Sequence, residues 1–126
     1  TVIPVDAKEF QNPKSMQAAI CDYCTAHALE VPQSKGATTR VVLQSLAAKY
    51  AEATAHLNAM LPKPIQKLHI IGGGSQNKLL NRLTEEALGV PVEAGPVEAT
   101  AIGNILCQAL AKGEVKSVAE MRKIEI

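Results

Sequence analysis

Three consecutive glycines, Gly72 to Gly74, follow the apolar run 68–71 and stand directly before a helical pattern that begins at about Ser75. Glycine can adopt a positive φ, and it leaves no side chain between the backbone and a ligand. The start of a helix offers N–H groups and a partial positive charge, which suit phosphate. The pattern therefore predicts one wall of a nucleotide site. A tight strand-to-helix turn explains the same residues equally well.

The regions on either side of this run predict a helix-rich α/β fold. Residues 68–71 and 90–94 predict two strands, and Pro91 makes the second an edge strand or lies at its start. A helix lies between them, so the strands form a parallel βαβ unit whose crossover should be right-handed. Parallel sheets normally have more than two strands and are buried by helices. Residues 1–126 are thus predicted to be a single domain that is part of a larger sheet structure.

Capping residues and apolar spacing predict the helices. One begins at Asn12-Pro13 and ends near Leu29, and a second is capped by Ser34 and stopped by Pro62. Gly89 and Gly113 end two later helices, and Ser117 with Glu120 forms a capping box for a short last one. The first eleven residues predict an irregular segment. The inward faces should include Met16, Ile20, Tyr23, His27, Val42 or Leu43, Leu46, Tyr50, Ala53, Leu57, Met60, Leu79, Leu80, Leu83, Ala87, Leu88, Ala101, Ile102, Ile105, Leu106 and Leu110.

Composition excludes several classes of function. Aromatic residues make up 2% of the chain and the net charge is +1 with both signs interspersed, so a nucleic-acid surface is not indicated. The apolar runs are too short to span a bilayer. No signal peptide is recognisable, which makes the cytosol the expected location. The pattern does not indicate an oligomeric state.

The three cysteines suggest reduced thiols rather than a disulfide framework, because their number is odd. Cys21, Cys24 and His27 follow one another at three-residue intervals on a helix, and a zinc ion would need a fourth ligand from His56 or Cys107. A redox pair normally follows a strand, which is missing here. A packed helix face is the favoured interpretation. Cys107 is expected in the core, and His56 and His69 are expected to be structural.

Two common phosphate-binding motifs match the glycine run poorly. A Walker A loop needs Lys and Ser/Thr after its last glycine, whereas Ser75 and Gln76 stand there. For a dinucleotide-binding Rossmann motif, Gly72 and Gly74 fit, but Asn77 takes the place of the third glycine. Glu93 stands where a ribose-binding acid would. No third strand follows, so a Rossmann oxidoreductase is less favoured than a non-catalytic helical interaction domain, in which the glycines only form a turn.

Two longer motifs carry a more specific resemblance. Residues 71–77 read IGGGSQN, and residues 95–104 read GPVEATAIGN, with LLN at 79–81 and GVPV at 89–92 between them. Together they resemble the C-terminal domain of FGGY carbohydrate kinases. The resemblance runs from about residue 12 to the C-terminus and is loose over the first eleven residues.

This resemblance implies an actin-like ATPase fold built from ribonuclease-H-like domains, here present in part. Such enzymes transfer the γ-phosphoryl group of ATP, with Mg²⁺, to a sugar hydroxyl. The family's motif implies that Gly72, Gly73 and Gly74 lie against the α-phosphate and adenosine, with Gly73 the principal contact. Asn77, expected in the first turn of the next helix, matches a position that can face adenine or ribose.

The same resemblance leaves other parts of the chain without a catalytic role. Gly95, Glu98 and Thr100 belong to the second motif, where an architectural role is favoured: a turn glycine, an acidic first turn and a hydroxyl near a helix start. The family's catalytic aspartate has no counterpart, since Asp6 and Asp22 are the only aspartates and neither lies in its motif. No Mg²⁺ ligand is identified either. We therefore expect these 126 residues to be inactive by themselves.

Overall fold

The computed structural model describes residues 1–124, and over this range the chain is rich in helix. Its two short strands pair as a two-stranded parallel sheet, which confirms the predicted helix-rich α/β pattern. The elements, in chain order, are α1 (Met16–Ala26), α2 (Lys35–Met60), β1 (Leu68–Ile70), α3 (Lys78–Leu88), β2 (Val92–Ala94), α4 (Ala99–Ala111) and α5 (Val118–Met121), with 3₁₀ turns at Lys8–Phe10 and Gly73–Gln76.

The chain forms two compact units. The first comprises Thr1–Leu68 and Lys78–Val92, and it contains the helices α1, α2 and α3. The second comprises His69–Asn77 and the described chain from Glu93 onward, and it contains the glycine run with α4 and α5.

The core of the first unit includes a residue from the segment that the sequence predicts to be irregular. Ile3 is buried together with Ile20, Cys24 and Val41. Its N–H donates a hydrogen bond of 2.9 Å to the buried hydroxyl of Ser45 in α2. Sequence reasoning missed this contribution, because one apolar residue without a period carries no helical or strand signal.

The start of the first helix was predicted wrongly. Asn12 is not its cap, since its φ of 61° places it in the left-handed region. Ser15 caps α1 instead, and its hydroxyl accepts a hydrogen bond of 3.3 Å from the N–H of Ala18. The helix ends at Ala26, and Ala28, with a φ of 54°, reverses the chain after it. The predicted end near Leu29 was therefore about one turn too late.

The other capping predictions are confirmed, except that Glu120 bonds to the N–H of Lys116 rather than to that of Ser117, so the predicted capping box is incomplete. The hydroxyl of Ser34 accepts from the N–H of Ala37 at 3.1 Å, and α2 ends at Met60, before Pro62. Gly89 and Gly113 follow α3 and α4 with positive φ angles of 72° and 81°. Ser117 caps α5 through the N–H of Glu120, and the Glu120 carboxylate accepts from the N–H of Lys116.

The buried face of α2 differs from the predicted apolar stripe. Its buried residues are Val41, Ser45, Ala47 and Thr54, whereas Ala53, Leu57 and Met60 are exposed, Met60 by 74%. The hydroxyls of Ser45 and Thr54 donate to the carbonyls four residues earlier, at 2.6 and 2.8 Å. Because these bonds satisfy the hydroxyls within the helix, small polar residues can occupy the buried face.

The other helices bury fewer residues than their apolar stripes predict. In α1 only Ile20 and Cys24 are buried, and in α3 Leu80 and Leu83 are buried with Thr84, while Ala87 is exposed. No residue of α4 is buried: Ile105 is 66% exposed, and Cys107, predicted to be core, is exposed as well.

No helix among residues 1–124 is long and apolar enough to cross a membrane. The cytosolic location stays a prediction.

Candidate functional site

The glycine run forms a 3₁₀ turn rather than the first turn of an α-helix. Gly72 has a φ of 86°, a conformation that L-residues other than glycine rarely adopt. The N–H groups of Ser75 and Asn77 then donate to the carbonyls of Gly72 and Gly74, both at 3.1 Å. These bonds close the turn over Gly73–Gln76, so α3 begins only at Lys78.

Two predictions need correction here. First, α3 does not begin directly after the last glycine. Second, the N–H groups and partial positive charge of a helix N-terminus therefore do not lie at the glycine run, so they give no reason for phosphate to bind there. Asn77 is exposed and has an extended backbone between the turn and Lys78, with φ −82° and ψ 95°, rather than lying in the first helical turn. The sequence did not reveal the 3₁₀ turn because Gly73–Gln76 carry no apolar residue that would show where the helical spacing begins.

Gly73 and Gly74 have no structural need to be glycine. Neither has a φ in the left-handed region, and a Cβ built on either would meet nothing within 4 Å. Both are exposed. The space that a side chain would fill is therefore open, and this is the arrangement in which a ligand could touch the backbone itself.

Gly95, by contrast, lies where packing disfavours a side chain. A Cβ there would lie 2.8 Å from Cγ2 of Ile71 and 3.4 Å from the carbonyl oxygen of Ile70. The N–H of Gly95 also donates to that carbonyl at 2.7 Å, which holds the end of β2 beside the end of β1. The architectural interpretation of Gly95 thus has a direct physical cause.

The two other residues singled out in the second motif do not bond as caps. Glu98 is the N-cap of α4, but its side chain makes no capping hydrogen bond; its carbonyl accepts from the N–H of Ile102 at 3.0 Å. Thr100 is exposed in the first turn.

Ser75 is the residue of this region that sequence reasoning missed. Its side chain is almost fully buried, and its hydroxyl lies 2.7 Å from the carbonyl oxygen of Gly72 and 3.1 Å from that of Gly95. Gln76 donates from its amide to the same hydroxyl oxygen at 3.3 Å. A second link joins the same two segments, since the N–H of Gly72 donates to the carbonyl of Pro96 at 3.1 Å. Ser75 therefore helps to fix the glycine run against the start of the second motif.

His69 and Glu93 lie side by side on the two strands. The Nδ1 atom of His69 is 3.9 Å from a carboxylate oxygen of Glu93, and both side chains are more than half exposed. His69 is therefore not a buried residue of the sheet; its side chain lies at the surface beside Glu93.

The cysteine motif lies within the first unit. Cys24 is completely buried, and this burial, followed by the neighbouring Cys21, raises the pKa of its thiol. The His27 ring stacks on Tyr23 at a centroid distance of 3.9 Å. Residues 1–124 hold no group of three His, Cys, Asp or Glu side chains that could bind a metal ion, and the cysteines in this range are free thiols.

A cavity of about 390 Å³ lies between the first segment and α2, lined in part by Asp6, Ser45 and Lys49. The Asp6 carboxylate is 2.9 Å from Nζ of Lys49, and this hydrogen bond, more than any other interaction, lowers the pKa of Asp6. Lys49 also lies 3.4 Å from Glu52. Asp6 is thus held in an ion pair with Lys49, and its side chain is more than half exposed.

Comparison with known proteins identifies the class. The model of the FGGY family of carbohydrate kinases, C-terminal domain, matches residues 1–112. The chain therefore belongs to the FGGY family of carbohydrate kinases. The match includes the first eleven residues, where the sequence motifs gave only a loose resemblance.

Several curated relatives of this chain are rhamnulokinases. Rhamnulokinase of Bacteroides thetaiotaomicron is 46% identical over 124 residues, which are 98% of this chain and 26% of that protein. Rhamnulokinase of Bacillus subtilis is 41% identical over 122 residues, 97% of this chain and 25% of that protein. Rhamnulokinase of Mannheimia succiniciproducens is 40% identical over 126 residues, the whole chain and 26% of that protein. The chain thus spans about a quarter of the length of these relatives.

Proposed function

We propose that this chain is the nucleotide-facing, C-terminal portion of a rhamnulokinase, an enzyme that transfers the γ-phosphoryl group of ATP to L-rhamnulose and yields L-rhamnulose 1-phosphate. The observation that carries the proposal is the identity of 40–47% with rhamnulokinases over nearly the whole chain. Another FGGY sugar kinase, of the xylulose or fuculose type, is the alternative that the sequence motifs leave open.

We assign the glycine run to the nucleotide. Gly73 and Gly74 are exposed glycines that neither packing nor φ demands, and a side chain at either would enter the space in front of the backbone. This observation fits an ATP molecule whose α-phosphate and adenosine lie against Gly72, Gly73 and Gly74. Asn77, exposed just beyond the turn, is placed to face adenine or ribose.

ATP bound with Mg²⁺ supplies the phosphoryl group that is transferred. The residues of this chain bind and orient the nucleotide, and we assign no catalytic base and no Mg²⁺ ligand among them. Asp6 is paired with Lys49, and Asp22 lies in α1, outside the family's catalytic motif. A polypeptide of only these 126 residues should therefore give no turnover with ATP and L-rhamnulose. Turnover at about one per second or faster would contradict this assignment.

The test of the nucleotide site is a substitution at Gly73 in the intact protein. Gly73→Val should weaken ATP binding by at least about tenfold, or about 1.4 kcal/mol, since the side chain blocks the approach to the backbone. L-Rhamnulose binding should change little. Isothermal titration calorimetry with ATP, ADP and NAD⁺ measures both the affinity and the preference for nucleotide.

Gly36→Val is the matched control. Gly36 also has an ordinary φ, and a Cβ there makes no contact closer than 4.0 Å, yet it lies in the first turn of α2. This variant should bind ATP as the wild type does. If Gly73→Val binds ATP normally, the glycines form only a structural turn and the assignment fails. A preference for NAD⁺ over ATP would favour the dinucleotide interpretation.

The choice of sugar is tested separately. The intact protein should phosphorylate L-rhamnulose with a higher kcat/KM than L-fuculose or D-xylulose. A higher value for either of the other sugars would replace the rhamnulokinase assignment with that alternative.

A further inference from the structure

The side chain of Ser75 is 2% exposed, although it belongs to a turn whose neighbours Gly73, Gly74 and Gln76 are exposed. A buried hydroxyl needs hydrogen-bond partners, because an unsatisfied one loses the interactions it had with water. Ser75 finds them in two backbone carbonyls of different segments, those of Gly72 and Gly95, at 2.7 and 3.1 Å.

The Ser75 hydroxyl thus links the first motif, at Gly72, with the second motif, at Gly95. The hydroxyl has a single hydrogen to donate, so the shorter contact with Gly72 takes most of it and the longer contact with Gly95 shares it. The oxygen also accepts from the amide of Gln76. Gly72 is the residue with the left-handed φ that directs the chain into the turn. Its conformation is thus held at its carbonyl by Ser75 and at its N–H by Pro96.

We propose that Ser75 is a positioning residue for nucleotide binding: its buried hydroxyl holds the carbonyls of Gly72 and Gly95, and so fixes the Gly73–Gly74 backbone in the conformation that receives the nucleotide. This inference rests on the proposed function. Ser75 does not touch the ligand in this account; it acts by keeping the loop in one conformation, which spares the ligand the entropic cost of ordering it.

The test is Ser75→Ala in the intact protein, compared with Ser45→Ala. Ser45 is likewise almost fully buried, but it lies in α2. Its hydroxyl donates to a backbone carbonyl at 2.6 Å and accepts from a backbone N–H at 2.9 Å. Both substitutions remove a satisfied buried hydroxyl, so both should lower the melting temperature. Only Ser75→Ala should raise the Kd for ATP, by about threefold to tenfold for the loss of one hydrogen bond.

Two further measurements separate positioning from general destabilisation. Calorimetry with the sugar alone should give an unchanged Kd in both variants. Hydrogen exchange followed by mass spectrometry should show faster exchange over residues 70–77 and 95–97 in Ser75→Ala only, since the N–H groups of Gly72 and Gly95 donate within this region.

The outcomes distinguish the two proposals. If Gly73→Val weakens ATP binding but Ser75→Ala binds ATP as well as Ser45→Ala does, the nucleotide site stands and the role of Ser75 is refuted. If Ser75→Ala weakens ATP and sugar binding equally, its effect is general destabilisation, and the inference again fails. If Gly73→Val leaves ATP binding unchanged, the nucleotide site fails and the inference about Ser75 fails with it.

Discussion

Substituting Gly95 by alanine should destabilise the protein through one identifiable contact. The new Cβ would lie 2.8 Å from Cγ2 of Ile71, whereas carbon atoms pack best at about 3.5–4.0 Å. The carbonyl oxygen of Ile70, at 3.4 Å, is an ordinary neighbour. Ile71 is 59% exposed, so its side chain can rotate away at the cost of a poorer rotamer. We therefore expect the free energy of unfolding to fall by about 1–2 kcal/mol, in the lower part of the range for overpacked side chains.

A double-mutant cycle with Ile71→Ala isolates this contact. Alanine at position 71 removes Cγ2 and keeps Cβ, which lies 3.9 Å from the added atom, an ordinary van der Waals distance. In the Ile71→Ala background, Gly95→Ala should therefore cost close to nothing. The coupling energy between the two sites should be about 1 kcal/mol or more.

Urea denaturation followed by far-UV circular dichroism measures the effect as a lower midpoint at unchanged m-value. Gly73→Ala is the comparison, and its free energy of unfolding should stay within about 0.5 kcal/mol of the wild type, because a Cβ at that position touches nothing. If Gly95→Ala proves as harmless as Gly73→Ala, the architectural role of Gly95 is refuted. A cost that persists in the Ile71→Ala background would show that the contact has been misidentified.

Three further predictions concern the cap of α1, the Asp6–Lys49 ion pair and the cysteines. Ser15→Ala should lower the free energy of unfolding by about 1 kcal/mol while Asn12→Gly does not lower it, because Ser15 caps α1 and Asn12 has a left-handed φ; the reverse order in urea denaturation would restore Asn12 as the cap. Lys49→Gln should raise the pKa of Asp6 towards its ordinary value of 3.8, as read by NMR titration. The pKa of Asp6 is lower in the folded state than in the unfolded state. The ion pair therefore stabilises the fold fully above the unfolded-state pKa, and this stabilisation is lost as the pH falls through the folded-state pKa. An unchanged Asp6 pKa in Lys49→Gln would refute the pairing. Thiol reagents at pH 8 should label Cys107 first and Cys24 only on unfolding, since Cys24 is buried and its pKa is raised; one zinc per chain, lost in Cys24→Ser, would instead support the metal interpretation.

The features that the sequence predicted well depend on local chemistry. Ser34, Ser117, Gly89 and Gly113 act within one turn of their own position, so their residue type alone indicates where a helix begins or ends. The order of strand, helix and strand over residues 68–94 also follows from short stretches of sequence, each of which indicates its own element. Asn12 misled the prediction because asparagine favours both an N-cap and a left-handed φ, and only the surrounding chain decides between the two.

The features that it predicted poorly depend on what lies opposite. The apolar period of α4 indicates a face that would gain from burial, but it does not say that this chain supplies the cover, and Ile105 is exposed. In α2 the reverse holds, since Ser45 and Thr54 are buried because their hydroxyls bond to carbonyls four residues earlier. Hydrophobic pattern alone cannot find such positions, because it treats every hydroxyl as exposed.

The glycine run shows how one residue type can meet different demands at neighbouring positions. Gly72 is glycine because its φ is 86°, and Gly95 is glycine because a Cβ there would crowd the Ile71 side chain. Neither reason applies to Gly73 or Gly74, since neither has a left-handed φ and a Cβ built on either would meet nothing within 4 Å. The sequence presents all four as the same letter in two motifs. Separating the demand of φ from that of packing is what turns the motif into a proposal about Gly73 that a binding experiment can refute.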